Sequence, residues 1–123
     1  MGVNNHKGSK FTSDSEKMRL FLELVKLENL FFIDSYTIST SVGYQLAKEA
    51  AIPTGRRDVF LDYVDEKEEI KNRLYEAADL ALENGSAIVI GHHKENTLQV
   101  LKNELPKLKE LKVKPVKVSE LLK

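Results

Sequence analysis

Few folds accommodate a run such as Ser86–His93, S-A-I-V-I-G-H-H. Ala87–Ile90 is apolar throughout and β-branched at Ile88, Val89 and Ile90, with Gly85 before it and Gly91 after it. Continuous rather than alternating apolarity predicts a strand covered on both faces, as in a parallel sheet flanked by helices. The run stops at Gly91 and hands the chain to His92 and His93, so an imidazole is delivered to the carboxyl end of a strand. Ligands bind at such ends in open α/β sheets and α/β barrels.

The rest of the chain repeats this plan. Met1–Lys10 is polar, and Val3 alone is too little to establish a strand. Ser13-x-x-Glu16 has the capping-box spacing and predicts a helix to about Glu28, with Met18, Phe21, Leu22 and Val25 on one face, widened by Leu24. Asn29 stops it, and Leu30–Ile33 is the next strand, ending in Asp34-Ser35. A hydroxyl-rich turn, Thr37–Ser41, supplies a cap for a second helix with Gly43, Leu46, Ala47 and Ala50 on its inner face. Pro53 and Gly55 end that unit.

Val59–Leu61 then forms a strand ending at Asp62. Asp65-x-x-Glu68 caps a third helix, from about Glu66 to Glu83, which buries Ile70, Leu74, Ala77, Ala78 and Ala81. Asn84-Gly85 stops it. After the central strand, Asn96 or Thr97 opens a fourth helix with Leu98, Leu101, Leu105 and Leu108 on one face. Pro106 is expected to kink it or to start a new turn. Val113–Val118 reads as an edge strand or barrel seam, because Pro115 has no N–H for a ladder. Alternating helices and strands mean an α/β fold with a parallel sheet. Asp34-Ser35, Asp62 and His92-His93 all follow strands, so carboxylate and imidazole chemistry are expected at one rim.

Composition narrows the function. Nineteen basic and nineteen acidic side chains cancel, leaving no electrostatic case for nucleic acid or an anionic membrane. The absence of cysteine excludes disulfides and thiolate metal sites. No apolar run is long enough to span a bilayer, and no signal peptide is expected ahead of Gly2. At 123 residues the chain is one domain at most, or part of one.

Three stretches in order resemble the divergent polysaccharide deacetylase family. The first is Gly2–Asp14, G-V-N-N-H-K-G-S-K-F-T-S-D, where the family typically has Met in place of Lys7. The second is Phe31–Thr37, F-F-I-D-S-Y-T, with Ser41 beyond it, followed by Arg57–Asp62, R-D-V-F-L-D. The third is Ala87–His92 with Thr97-Leu98. The family is distantly related to the NodB-type carbohydrate esterases. The resemblance implies a distorted (β/α) barrel and removal of acetyl groups from polysaccharide with a divalent metal, zinc being the expected ion. Intact members are longer, and their first half carries an Asp-Asp pair and a further His motif. Residues 1–123 therefore read as a single partial domain, the C-terminal half of such a protein, whether by natural truncation, processing or expression of a piece.

Metal-assisted deacetylation needs a Lewis acid, a base for water and an acid for the leaving group. By resemblance His6 is the metal ligand and Asn5 orients substrate or the imidazole. Asp34 orients a base or binds metal, and Ser35 donates a hydrogen bond to it. His92 occupies the place of the general acid, whereas Arg57 and Asp62 either form an ion pair at the rim or touch sugar. Three protein ligands are usual at a catalytic zinc, so the other half would supply the rest.

The same residues have plainer readings. His6 could be a solvated terminal residue, Asp34 a turn or helix cap, Asp62 and Asp65 the start of the third helix, and His92 a strand-end histidine bonded to backbone. The alternative to a deacetylase is a non-catalytic α/β module that binds saccharide or is a folded remnant. A half barrel would also have an open edge, which predicts self-association or pairing with a missing N-terminal half.

Overall fold

Each strand pairing among the described residues is parallel, as the alternation of helical and extended patterns predicts. The structure, a computed structural model, describes residues 1–5 and 9–122. They fall into two units, Met1–Arg56 with Val118–Lys123, and Arg57–Lys117.

The first unit contains β1 (Gly2–Asn4), α1 (Ser9–Thr12), α2 (Ser15–Leu27), β2 (Phe31–Asp34), α3 (Gly43–Glu49) and β3 (Thr54–Arg56), and it includes a 3-10 turn at Val118–Leu121. The sheet order is β1-β2-β3, with Val3 opposite Phe32 and Asp34 opposite Arg56. Val3 is thus in a strand after all. Its pairing comes from β2, a tertiary contact that no local pattern announces. Gly2 lies against the Phe31 ring, where a Cβ would clash. Met18, Leu22 and Val25 of α2 bury at helical spacing against Phe32, Leu46, Ala47 and Ile52. Leu24 is 63 % exposed. It lies roughly a third of a turn from the centre of the buried face, too far to widen it. At Gly43 a Cβ would stand 3.0 Å from the Phe32 ring and 3.3 Å from Asp34 Oδ2, so glycine lets α3 settle onto the end of β2.

The second unit contains β4 (Val59–Phe60), α4 (Lys67–Asn84), β5 (Val89–Ile90) and α5 (Glu95–Glu110). Val59 pairs with Val89 and Phe60 with Ile90. Ile70, Leu74, Ala77 and Ala78 of α4 pack with Val59, Leu61, Val100 and Leu108. Gly85 ends α4 in the left-handed conformation at φ 93°. Val89 is 36 % exposed, so β5 is not covered on both faces as expected. The buried face of α5 is Thr97, Val100, Glu104 and Leu108, and Leu98 points outward. The helix runs through Pro106 to Glu110.

Capping differs from expectation at three helices. Asp14, not Ser13, caps α2, accepting from the N–H groups of Glu16 and Lys17. Ser13 bonds Thr40 instead. Asp65 accepts from the Asn96 amide rather than capping α4. Lys94 is the N-cap of α5, which places Asn96 and Thr97 inside its first turn. The segment 113–117 is not a strand. Val113 N–H donates to Leu108 O across Lys112 at φ 65°, closing α5, and Pro115 has no donor to offer a ladder.

Candidate functional site

In the second unit, β4 and β5 run side by side and release their chains at Asp62 and His92. Leu61 N–H still donates to Ile90 O, so the two strand ends are in step. The Asp62 carboxylate is fully buried. It accepts from His92 N–H at 2.6 Å, from the Thr97 hydroxyl at 2.7 Å, and faces His92 Nδ1 at 2.8 Å. Burial alone would raise the Asp62 pKa. The hydrogen bonds from Thr97 and from the His92 ring and backbone outweigh it, with the His92 charge adding to them, and hold the pKa below the ordinary carboxylate value.

An ionised Asp62 can only accept, so Nδ1 carries the proton in that bond. Proton exchange with any substrate then falls to Nε2 of His92. The imidazole is 34 % exposed. It lies 5.6 Å from the Phe60 ring, over which Arg57 places its guanidinium at 5.7 Å. The structure therefore brings Asp62 and His92 together and sets Arg57 beside them through Phe60.

In the first unit, Asn5, Asp34 and Ser35 meet at the carboxyl ends of β1 and β2. Asn5 Oδ1 accepts from Ser35 N–H at 2.7 Å, and Asn4 Nδ2 donates to Ser35 Oγ at 3.0 Å. Among the described residues, Asn5 Nδ2 is buried and has no hydrogen-bond partner. A buried donor left unpaired is costly. Asp34 is fully buried. Its Oδ1 accepts from Tyr36 N–H at 2.8 Å, and its Oδ2 from Ser41 Oγ at 2.9 Å and from Tyr44 N–H at 3.1 Å. One carboxylate thus fixes the turn after β2 and caps the first turn of α3.

His6 lies outside the described residues. Among those residues, no group of three or more His, Asp and Glu side chains could hold a metal ion. The oxygens of Asp34 accept from Tyr36, Ser41 and Tyr44, and those of Asp62 from His92 and Thr97.

Sequence reading placed no function on Thr97, Tyr36 or Arg56. Thr97 lies only five positions beyond His92, at the start of a helix. That proximity, with its place in the third stretch of the resemblance, is the signal of its part in the Asp62 cluster.

The comparisons agree with this architecture. A family model for divergent polysaccharide deacetylases matches residues 1–122. An uncharacterized Haemophilus influenzae protein is 38 % identical over 110 residues, covering 89 % of this chain and 39 % of its own length. The uncharacterized Escherichia coli K12 protein YibQ is 38 % identical over 101 residues, covering 82 % of this chain and 32 % of its own. The chain thus spans well under half the length of these relatives. The crystal structure of the uncharacterized Agrobacterium tumefaciens C58 protein ATU2773 superposes with a TM-score of 0.94 at 23 % identity, over 98 % of this chain and 49 % of that one. That likeness establishes a shared α/β fold.

Proposed function

The chain belongs to the divergent polysaccharide deacetylase family, and from that premise we propose that it supplies the proton-transfer machinery for removing acetyl groups from a polysaccharide. The observation that carries this reading is the 2.8 Å contact between buried Asp62 and His92 Nδ1. Hydrolysis of an acetyl amide or ester breaks the acyl C–N or C–O bond, and the departing nitrogen or oxygen needs a proton. Imidazolium at His92 gives that proton from Nε2. Asp62 holds the ring in one orientation, with Nδ1 turned to the carboxylate. Asp62 is therefore a positioning residue and His92 the catalytic one.

The other candidates are binding residues within their own units. In the first, Asn5 Nδ2 offers a donor to a sugar or acetyl oxygen and Ser35 a hydroxyl; in the second, Arg57 offers its guanidinium. Asp34 orders the turn that presents Ser35. A divalent metal, zinc in this proposal, would require His6 together with ligands beyond the described residues, and the proton transfer at His92 is independent of it. Zinc is expected to raise the melting temperature of the wild type but not of His6→Ala. An unchanged wild-type melting curve would remove the metal from the reading.

The test is acetate release from an acetylated oligosaccharide. His92→Ala and Asp62→Asn are expected to lower kcat by about 10²- to 10⁴-fold. Asparagine would present an N–H to Nδ1 and shift the ring proton to Nε2, so Asp62→Asn fails without loss of the fold. Wild-type rates in both variants would overturn the assignment. Saccharide binding without acetate release by the wild type would favour the second reading, a saccharide-binding module, for which the unpaired donor of Asn5 is the supporting observation.

A further inference from the structure

The first unit carries a stack of cation and rings that the acid–base chemistry does not use. Arg56 ends β3 in register with Asp34. Its guanidinium carbon lies 4.4 Å from the centroid of the Tyr36 ring and 5.8 Å from that of Tyr44. Arg56 is exposed, and no carboxylate of the described residues forms an ion pair with it. This is notable because Asp34 occupies the partner position on the next strand. The oxygens of Asp34 accept from Tyr36 N–H, Ser41 Oγ and Tyr44 N–H, and Asp34 forms no ion pair with Arg56. Tyr36 itself has φ 51°. A non-glycine residue in that region is strained, and the Asp34 hydrogen bond to its N–H holds it there. Asp34 thus fixes the backbone of both tyrosines, and the tyrosines fix the guanidinium.

We propose that Arg56, stacked on Tyr36 and Tyr44, is a subsite for the carboxylate of an acidic sugar residue, so that the substrate class is a uronate-containing polysaccharide. The proposal rests on the reading of the chain as polysaccharide-acting. A guanidinium with a ring against its face makes hydrogen bonds at its in-plane edge, and that edge matches a planar carboxylate. Tyrosine rings beside it offer flat apolar surface to a pyranose. The position, at the carboxyl ends of β2 and β3, is shared with Asn5 and Ser35 within the same unit.

The experiment is calorimetric titration of the full chain with an oligogalacturonate and, separately, with an uncharged oligomer of N-acetylglucosamine. The wild type is expected to prefer the acidic oligomer, and the preference should shrink in about 0.5 M salt. Arg56→Gln is expected to weaken binding of the acidic oligomer by about 10- to 100-fold and of the neutral one by less than about twofold. Arg56→Lys, which keeps the charge but loses the fork, should fall between wild type and Arg56→Gln. Equal affinity of the wild type for both oligomers, no binding of the acidic one, or unchanged acidic binding in folded Arg56→Gln would each overturn the proposal. An acidic preference abolished by Arg56→Gln sustains it even where no acetate is released, an outcome that counts against the deacetylase reading alone.

Discussion

At the scale of single residues, Thr97 offers the sharpest test of the Asp62 cluster. Thr97 is the buried residue of the first turn of α5, and its hydroxyl reaches Asp62 Oδ2 at 2.7 Å. Thr97→Val keeps the shape and removes one donor from a buried anion, which should cost about 1.5–3 kcal/mol by denaturant unfolding. The Asp62 pKa should rise towards its ordinary value, because one of the hydrogen bonds that lowers it is gone. The His92 contact survives in this variant, so acetate release should fall far less than in Asp62→Asn. An Asp62 pKa unchanged by NMR titration would show that Thr97 is not one of its holders. The members of this cluster were legible singly. Asp62 and His92 each follow an apolar run, which is how strand ends declare themselves. Their partnership was not legible, because 30 residues separate them and only the pairing of β4 with β5 brings them into contact. Arg56 and Tyr36 were invisible for a related reason. The strand β3 is short and polar, and the stack depends on its register with β2.

At the scale of elements, three helices end in the same way, and none of them uses glycine to do it. Asn29 at φ 55°, Ala51 at φ 59° and Lys112 at φ 65° all sit in the left-handed region. In each case the next residue, Leu30, Ile52 or Val113, donates back to the helix, to Val25, Ala47 and Leu108 respectively. Such a cap turns an apolar residue onto the core just past the helix end. Ile52 is buried in the first core, and Val113 packs against the second. Alanine pays for the left-handed conformation with a steric cost that glycine avoids. Ala51→Gly is therefore expected to stabilise the protein by about 0.5–1 kcal/mol, net of the added freedom of the unfolded chain. A melting temperature raised by roughly 2–4 °C would agree, and a lowered one would mean that Ala51 is not strained. These caps also explain which elements could be read in advance. The helices α2 and α4 announced themselves through apolar residues at helical spacing, and Gly85 marked a stop. Val113–Val118 looked like a strand because apolar residues alternate with lysine. That pattern lost to the cap at Lys112 and to Pro115.

At the scale of the whole chain, the depressed carboxylates determine how it should respond to acid. Asp62 is one. Among the described residues Glu104 is another: burial would raise its pKa, but the hydrogen bonds from Lys107 and Tyr75, with the charges of Lys107 and Lys71, outweigh this and lower it. A carboxylate whose native pKa lies below its unfolded value binds fewer protons in the folded state over the interval between the two. Its stabilisation is complete above the unfolded value, about 3.9 for Asp and 4.3 for Glu, and is lost as the pH falls through the native pKa. Stability should accordingly hold from neutrality down to about pH 5 and decline below it. Asp62 and Glu104 both belong to the unit Arg57–Lys117, which has its own hydrophobic core. Acid should therefore loosen that unit first. Amide exchange followed on stepwise acidification is expected to show Leu61, Ile70 and Val100 losing protection at a higher pH than Phe32 and Leu46 of the other core. Simultaneous loss in both cores would mean that the chain opens as one cooperative body, and that protonating Asp62 releases far more than the β4–β5 rim. With Thr97→Val the acid-dependent part of the decline should shrink, since a native Asp62 pKa nearer the unfolded one leaves less stability to lose on acidification, and this ties the behaviour of the molecule to a single hydroxyl.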